Sequence, residues 1–290
     1  KSDEVLFIDN GKVVKYFDDK NKVSMRIKRV KHLNETCPEV VKINDNMYYY
    51  DYIDGKLLSN ITDEKVLNNF LYWCKDNLFI NKKPNSTFTG DCFEMYDVKT
   101  KQRIKKLINT ELDKVTRING IKVEPIKDML DKIDWNSLKT NTIPTLFHGD
   151  LQPENIIYNE SDKKFTLIDW RQSFGMNLEM GDVYYDLGKL YHAILINGQT
   201  ILKDMFGFKR VGYSVDLNFY AKSNLVEFMN IFKKFCNDND YDWSRVELIG
   251  ILHYFNICTL YDNFKQGQYG DFLFLYGKYL LAKYQRDNNG

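Results

Sequence analysis

Phe147-His-Gly-Asp-Leu-Gln-Pro-Glu-Asn155 is the stretch whose reading decides the fold. It sets a histidine, an aspartate and an asparagine within one short loop. Apolar Ile156-Ile-Tyr158 follows, then a polar turn at Asn159 to Lys164, then Phe165-Thr-Leu-Ile168 ending in Asp169. Two short apolar runs about a polar turn read as a β-hairpin. A turn centred on Asp162 places Asn155 opposite Asp169 at the open end of the ribbon, with Cβ atoms about 5 Å apart. An amide oxygen beside a carboxylate is a hard-oxygen pair of the kind Mg²⁺ takes, leaving other positions to water and substrate phosphates. Asp150 stands just before them, and a carboxylate not tied to the metal can orient and deprotonate an attacking hydroxyl, the skeleton of a phosphoryl-transfer site. Alone, each is an ordinary turn or cap residue. Their joint spacing is what points to chemistry.

Working outward, Glu4-Val-Leu-Phe-Ile8 and Val13-Val-Lys-Tyr-Phe17 flank Asp9-Asn-Gly-Lys12 and predict an Asn-Gly hairpin. A helix is expected over 22–33, with Val23, Ile27, Val30 and Leu33 at helical spacing and the basic stretch Arg26 to Lys31 as its solvated face. Val40 to Ile43 and Met47 to Ile53 read as a strand pair, and Asp54-Gly55 breaks the chain after it. From Lys56 the character turns helical, beginning with Thr62 as N-cap and a stripe of Val66, Leu67, Phe70, Leu71, Cys74 and Leu78. Further helices are expected near 97–117, 125–133, 183–197, 217–237, 243–262 and 270–285, with 155–170 as the one β island among them. The fold class is α+β in two lobes, a small β-rich one over 1–55 and a mainly helical one over 56–290.

The 290 residues carry 41 Lys+Arg against 40 Asp+Glu, a net charge of +1, so no global basic field draws the chain to nucleic acid or anionic lipid. Hydrophobic residues at 43% and charged residues at 28% are ordinary globular usage and exclude a collagen, a coiled coil or a wholly disordered chain. Five cysteines, an odd number with no Cys-x-x-Cys, point to reduced thiols and a cytoplasmic setting. The longest apolar runs, such as Ala193 to Ile196, fall far short of the roughly 20 residues of a membrane helix, so no membrane insertion is expected.

His148-x-Asp150-x4-Asn155, then Ile168-Asp169-Trp170, then Gly181-Asp-Val-Tyr-Tyr-Asp-Leu187, resembles the aminoglycoside phosphotransferase and choline kinase family of kinase-like small-molecule kinases. The resemblance implies a two-lobed protein-kinase-like fold with ATP, or GTP in its place, and Mg²⁺ between the lobes. It implies Asp150 as catalytic base, Asn155 and Asp169 as metal holders, and His148 and Asp186 as braces of the catalytic loop. Lys15 corresponds to the lysine that contacts nucleotide phosphates. Tyr49-Tyr-Asp-Tyr-Ile-Asp-Gly55 resembles the connector whose backbone binds the base, which makes Tyr50, Asp51 and Tyr52 nucleotide-contact candidates. Lys1, Ser2 and Asp3 would be the remnant of the phosphate-covering loop, since no glycine-rich loop precedes Glu4. Nor does the helix 22–33 offer an acidic partner for Lys15; Glu35 falls at its end.

The acceptor is open at this stage. Sugar or polyol comes first, because Leu167 to Gln172 with Gly181 to Tyr191 looks most like phosphotransferase domains of bacterial capsule and surface-glycan pathways. Those are often parts of longer proteins, with a fused or partnering nucleotidyltransferase domain, and the first residue Lys1 agrees with that. Choline or another amino alcohol comes second. Trp170, Tyr184, Tyr185 and Tyr191 would suit a quaternary ammonium by cation–π attraction, although ordinary packing is the better reading. Arg171, directly after Asp169-Trp170, would repel such a cation and hold a phosphate or an acidic substrate, unless it is a surface ion pair. A rival of another class is a catalytically silent kinase-like domain that binds a nucleotide or a partner.

Overall fold

The computed structural model describes residues 4–261 and 264–288. The chain opens with β1 (Glu4–Asp9) and β2 (Lys12–Phe17), an antiparallel hairpin whose turn residues Asn10 and Gly11 both take positive φ, 47° and 71°. Asn-Gly meets that demand at little cost, which is why the dipeptide marks such turns. Helix α1 (Lys20–Val30) starts where the Asp19 side chain accepts the Asn21 amide. β3 (Val41–Asn44) and β4 (Met47–Asp51) complete a four-stranded antiparallel sheet of order β1-β2-β4-β3. Side chains alternate across a strand, so β2 buries Val13, Lys15 and Phe17 together. A lysine is thereby carried inside by the parity of its apolar neighbours.

β5 (Lys56–Leu57) already belongs to the next layer, and α2 (Glu64–Asn77) buries Leu67, Phe70, Leu71 and Cys74 of the expected stripe. Its cap is Asp63 and not Thr62, because the Asp63 carboxylate reaches the Lys65 amide at 2.9 Å. Helix α3 (Phe88–Phe93), a π-helical turn over Glu94–Val98 and α4 (Lys99–Ile104) run on continuously. Then come β6 (Arg117–Ile118), β7 (Ile121–Lys122), α5 (Ile126–Leu130), α6 (Trp135–Thr140) and β8 (Pro144–Thr145). The motif hairpin is β9 (Ile156–Asn159) and β10 (Lys164–Leu167), and β5 adds to it in the order β10-β9-β5. β11 (Gly181–Asp182) pairs with β8 and leads into α7 (Val183–Leu195). The rest is α8 (Gly198–Leu202), β12 (Phe206–Val211), β13 (Ser214–Phe219), α9 (Ser223–Asp238), α10 (Trp243–Cys258) and α11 (Gln268–Asn288).

Helices α7 and α10 are apolar nearly all round and lie at the centre of the C-terminal region, packed on each other and, through α10, on α11. Gly188 of α7 lets α10 approach, since a Cβ there would meet Ile249 Cγ2 at 2.5 Å. All five cysteines are buried free thiols. Among the described residues, no helix is long and apolar enough to cross a membrane.

Two further expectations change. The helix expected over 97–117 stops near Leu107, and Asn109 at φ 63° turns the chain away. The hairpin 155–170 is not the one β island, because β12 and β13 pair along their length and join β6 and β7 in a second four-stranded sheet. The start of the helix expected over 217–237 is therefore strand. Ser214-Val-Asp-Leu-Asn-Phe219 alternates with period two, and Gly212 at φ 59° supplies the turn.

Candidate active site

The hairpin β9–β10 pairs Asn159 with Lys164 and Leu167 with Ile156, a register one residue off the one expected from a turn centred on Asp162. Asn155 thus faces Ile168, whose amide donates to the Asn155 carbonyl at 2.9 Å, and not Asp169. The loop holds the four residues 160–163. Asn159 Oδ1 accepts the Ser161 amide at one end, and Lys163 takes φ 57° at the other. A one-residue slip would normally turn a side chain to the opposite face. Asp169 leaves the ladder in the left-handed region at φ 60°, a conformation that aspartate tolerates better than most residues.

Asp186 of α7 braces the loop that precedes the hairpin. Its two carboxylate oxygens accept the His148 amide at 2.5 Å and the Gly149 amide at 2.7 Å, and it is fully buried. Burial pushes its pKa up to about 7, against the pull of those two amides and of Arg29. Gly149 takes φ 86°, and a Cβ on it would meet Arg171 Cβ at 2.5 Å. The position admits no side chain. The His148 ring is buried and neutral: burial pushes its pKa down to about 4, against the pull of Asp150.

The other brace comes from α1. Arg29 is fully buried, and its guanidinium donates to the carbonyls of Arg171 (2.7 Å), Leu178 (2.8 Å) and Phe147 while lying over the Phe147 ring at 3.6 Å. Burial brings its pKa down to about 9. The basic stretch Arg26 to Lys31 is therefore not simply a solvated face. Arg26 and Arg29 are spaced to turn the same way on the helix, and both point inward.

Asn155, 7% exposed, donates from Nδ2 to the Asp150 carbonyl at 2.9 Å, which leaves its Oδ1 as an acceptor. Asp150 Oδ1 lies 3.0 Å from Nζ of Lys189, a buried residue of α7. Burial alone would raise the Asp150 pKa, but the Lys189 ammonium outweighs it and holds the carboxyl well below the usual range. Lys189 is in turn raised by Asp150 against its own burial.

Lys15 forms an ion pair with Asp169 and lies 3.4 Å from Glu4 of β1, while Arg26 approaches Asp169 at 3.6 Å. The acidic partner of Lys15 that the helix 22–33 lacks is supplied from the neighbouring strand. Tyr50 is buried and Asp51 is exposed at the end of β4; Tyr52 is exposed, and its amide donates to the Gly11 carbonyl at 2.8 Å. Ser2 lies outside the described residues. Among the described residues, no group of three or more His, Cys, Asp or Glu side chains is placed to hold a metal by itself. Asn155 Oδ1 and the Asp169 carboxylate are oxygens of the type that Mg²⁺ takes, an ion held by one or two protein oxygens with phosphates and water completing its shell.

Arg171 continues from Asp169-Trp170, its amide donating to the His148 carbonyl at 3.0 Å and its Nε to the Ser173 carbonyl at 3.0 Å. It is not a surface ion pair. With Lys99, Gln102, Arg103, Asp91 and Glu94 it lines a cavity of about 1020 Å³. Lys99 donates to the Tyr185 hydroxyl at 3.0 Å. The four aromatic residues do not assemble a cage. Trp170 is buried with Nε1 on the Arg26 carbonyl, Tyr184 lies under Arg245, Tyr185 takes Lys99, and Tyr191 packs on Trp243 with its hydroxyl on Glu247. A smaller cleft of about 300 Å³, lined by Asp134, Asp242 and Tyr284 among others, includes none of the motif residues.

Sequence reasoning missed Lys189, Arg29, Glu4 and Lys99. Lys189 had a local signal, a lysine on a mostly apolar helix that also carries Asp186.

Residues 106–208 match the family model described as phosphotransferase enzyme family. No curated protein matches the chain. Among solved structures, the GDP complex of wild-type aminoglycoside 2'-phosphotransferase-IIIa is similar over 99% of this chain and 91% of its own, with a TM-score of 0.52 and 12% identity. The streptomycin-ATP-APH(2")-IIa ternary complex is similar over 90% of this chain and 83% of its own, with a TM-score of 0.50 and 18% identity. At such identity the likeness shows the fold. Residues 106–208, the segment that carries the catalytic loop, are thus similar to the phosphotransferase enzyme family, and the chain shares the fold of the aminoglycoside phosphotransferase structures.

Proposed function

We propose that the chain transfers the γ-phosphoryl group of ATP, or of GTP in its place, to a hydroxyl of a sugar or polyol. One observation supports this reading: Asn155 is tied to the Asp150 carbonyl at 2.9 Å and, through the Ile168 amide, to the residue before Asp169, which keeps the three residues in one neighbourhood of the backbone. The nucleotide lies between the sheet region of residues 1–55 and the helical region of 56–290, its base against the connector Tyr50-Asp-Tyr52. Lys15, exchanging its ion pair with Asp169 for the nucleotide phosphates, neutralises their charge.

The acceptor oxygen attacks the γ-phosphorus in line, the bond to the bridging oxygen breaks, and the nucleoside diphosphate leaves. Asp150 accepts the hydroxyl hydrogen as a bond that fixes the direction of attack. Because Lys189 keeps this carboxylate ionised, it is a weak base. It takes the proton late, as suits a loose transition state that asks for positioning more than for deprotonation. Asn155 and Asp169 would hold Mg²⁺, which when bound supplies charge stabilisation on the transferring phosphoryl oxygens.

A choline or amino-alcohol acceptor is disfavoured by Arg171 and Lys99 at the cavity and by the dispersed aromatic side chains. The surface-glycan setting rests on the likeness of the phrases 167–172 and 181–191 alone. A screen of sugars, polyols and amino alcohols for acceptor-dependent ATP consumption tests the reading. Stimulation by a sugar or polyol that vanishes in Asp150→Ala is the expected result. Nucleotide binding with no turnover that depends on Asp150 would favour the silent-domain rival.

A further inference from the structure

Three cations converge on Tyr185, one residue before the brace Asp186. Lys189 is 3.0 Å from the Asp150 carboxylate, Arg171 packs against Gly149, and Lys99 lies on the Tyr185 hydroxyl at 3.0 Å. All three interact electrostatically with Tyr185. Only Lys189 has a carboxylate partner: among the described residues neither Lys99 nor Arg171 lies within ion-pair distance of an acid. Lys99 is partly buried and has a phenol where a buried ammonium would ordinarily find a carboxylate.

The acids on the same cavity do not compensate. Asp91 is buried, its oxygens taken by the Met176 amide at 2.7 Å and the Thr87 hydroxyl at 3.1 Å. Glu94 is exposed at the wall and Arg103 offsets it. Burial, opposed by Tyr185 and reinforced by Arg171, brings Lys99 down to about 8, and the three cations pull Tyr185 down to about 8 against its own burial.

The π-helical turn at Glu94–Val98 sets Tyr96 on Asp182 at 2.7 Å and delivers Lys99 to this place. Such turns occur inside helices, frequently at functional sites.

The geometry points to an oxyanion subsite formed by Lys99 and Arg171 in the cavity that both line. The acceptor accordingly carries a phosphate or carboxylate group besides the hydroxyl that is phosphorylated. This rests on the phosphotransferase reading and narrows its acceptor to anionic sugars or polyols. An anion there completes the charge balance of two cations that the chain itself leaves uncompensated. A cationic acceptor would meet the same groups as repulsion.

Calorimetric titration of the full chain, with and without a non-hydrolysable ATP analogue and Mg²⁺, tests it with paired probes. The pairs are glycerol 3-phosphate against glycerol and glucuronate against glucose, with choline as the cationic control. The anionic member of at least one pair should bind ten-fold or more tighter than its neutral partner, and choline weakest. Which pair responds tells phosphate from carboxylate. Lys99→Met and Arg171→Met should each remove most of that preference, and Lys99→Arg should keep it; if Lys99→Met fails to fold, Arg171→Met and Lys99→Arg decide. Equal affinities within both pairs, a preference that survives both neutral substitutions, or no binding of either anion overturns the inference. Failure of the kinase reading shows separately, as an anion preference intact in a chain that binds no ATP analogue with Mg²⁺.

Discussion

The ammonium of Lys189 lies 3.0 Å from Asp150 Oδ1, joining a helix of the core to the loop of the motif. The pair makes Asp150 an ionised, fixed hydrogen-bond acceptor over the whole working range of pH. Lys189→Met leaves the carboxylate partly buried and uncompensated. Stability should fall by roughly 1–3 kcal/mol, less than a fully buried pair would lose because Asp150 keeps some contact with water. The acidic limb of the rate profile should move up in pH, since the depressed Asp150 pKa loses its cause. A pH–rate profile of the variant checks this, and an unmoved acidic limb would contradict it.

Arg29 joins α1 to three carbonyls around the catalytic loop. Arg29→Ala strips three buried acceptors of their donor, so a loss of about 3 kcal/mol or more is expected in denaturant unfolding. Arg29→Lys keeps a charge but cannot reach three divergent carbonyls from a single ammonium, and it should recover only a minor part. Near-complete rescue by lysine would show that charge alone matters here.

His148 and Asp186 titrate against each other in their effect on stability. The unfolded histidine binds a proton near pH 6.5 and the folded one only near pH 4. Its neutral, buried state therefore contributes stability above pH 6.5 that is lost as pH falls towards 4, of the order of 3 kcal/mol at most. Asp186 runs the other way. Its folded pKa near 7 exceeds the unfolded value, so the stability from its protonation is full below about pH 4 and is lost as pH rises through 7. The wild-type advantage over His148→Gln should shrink on acidification from pH 7 to 4.5, and that over Asp186→Asn should grow. Melting temperatures of the three proteins at four pH values give both slopes.

What the sequence showed of this site was local. The loop Phe147 to Asn155, the hairpin after it and the helix from Val183 are contiguous patterns, and the hairpin and the helix form where they were expected, the hairpin one residue out of register. The register error at Asn155 came from counting loop residues without knowing that Lys163 takes a left-handed turn. Arg29 and Lys99 were out of reach for a different reason. Each acts on residues far along the chain, so no spacing exposes it, whereas Glu4 stands two residues from Leu6, the hairpin partner of Lys15, and was within reach of the hairpin pattern. Arg26 and Arg29 also show how a charge pattern misleads: the same helical spacing suits a solvated face and a buried clamp, and only the partner surface decides.

The central claim is that Asp150, with Asn155 and Asp169, directs a hydroxyl to a nucleotide triphosphate, and transfer from γ-labelled ATP with Mg²⁺ in wild type and Asp150→Asn tests it most directly. The account predicts labelled acceptor with the wild type, a fall of about 10³-fold or more in the variant, and ATP affinity within a few-fold of wild type. Equal transfer by the two proteins, or a wild type that binds no ATP in the presence of Mg²⁺, would contradict it.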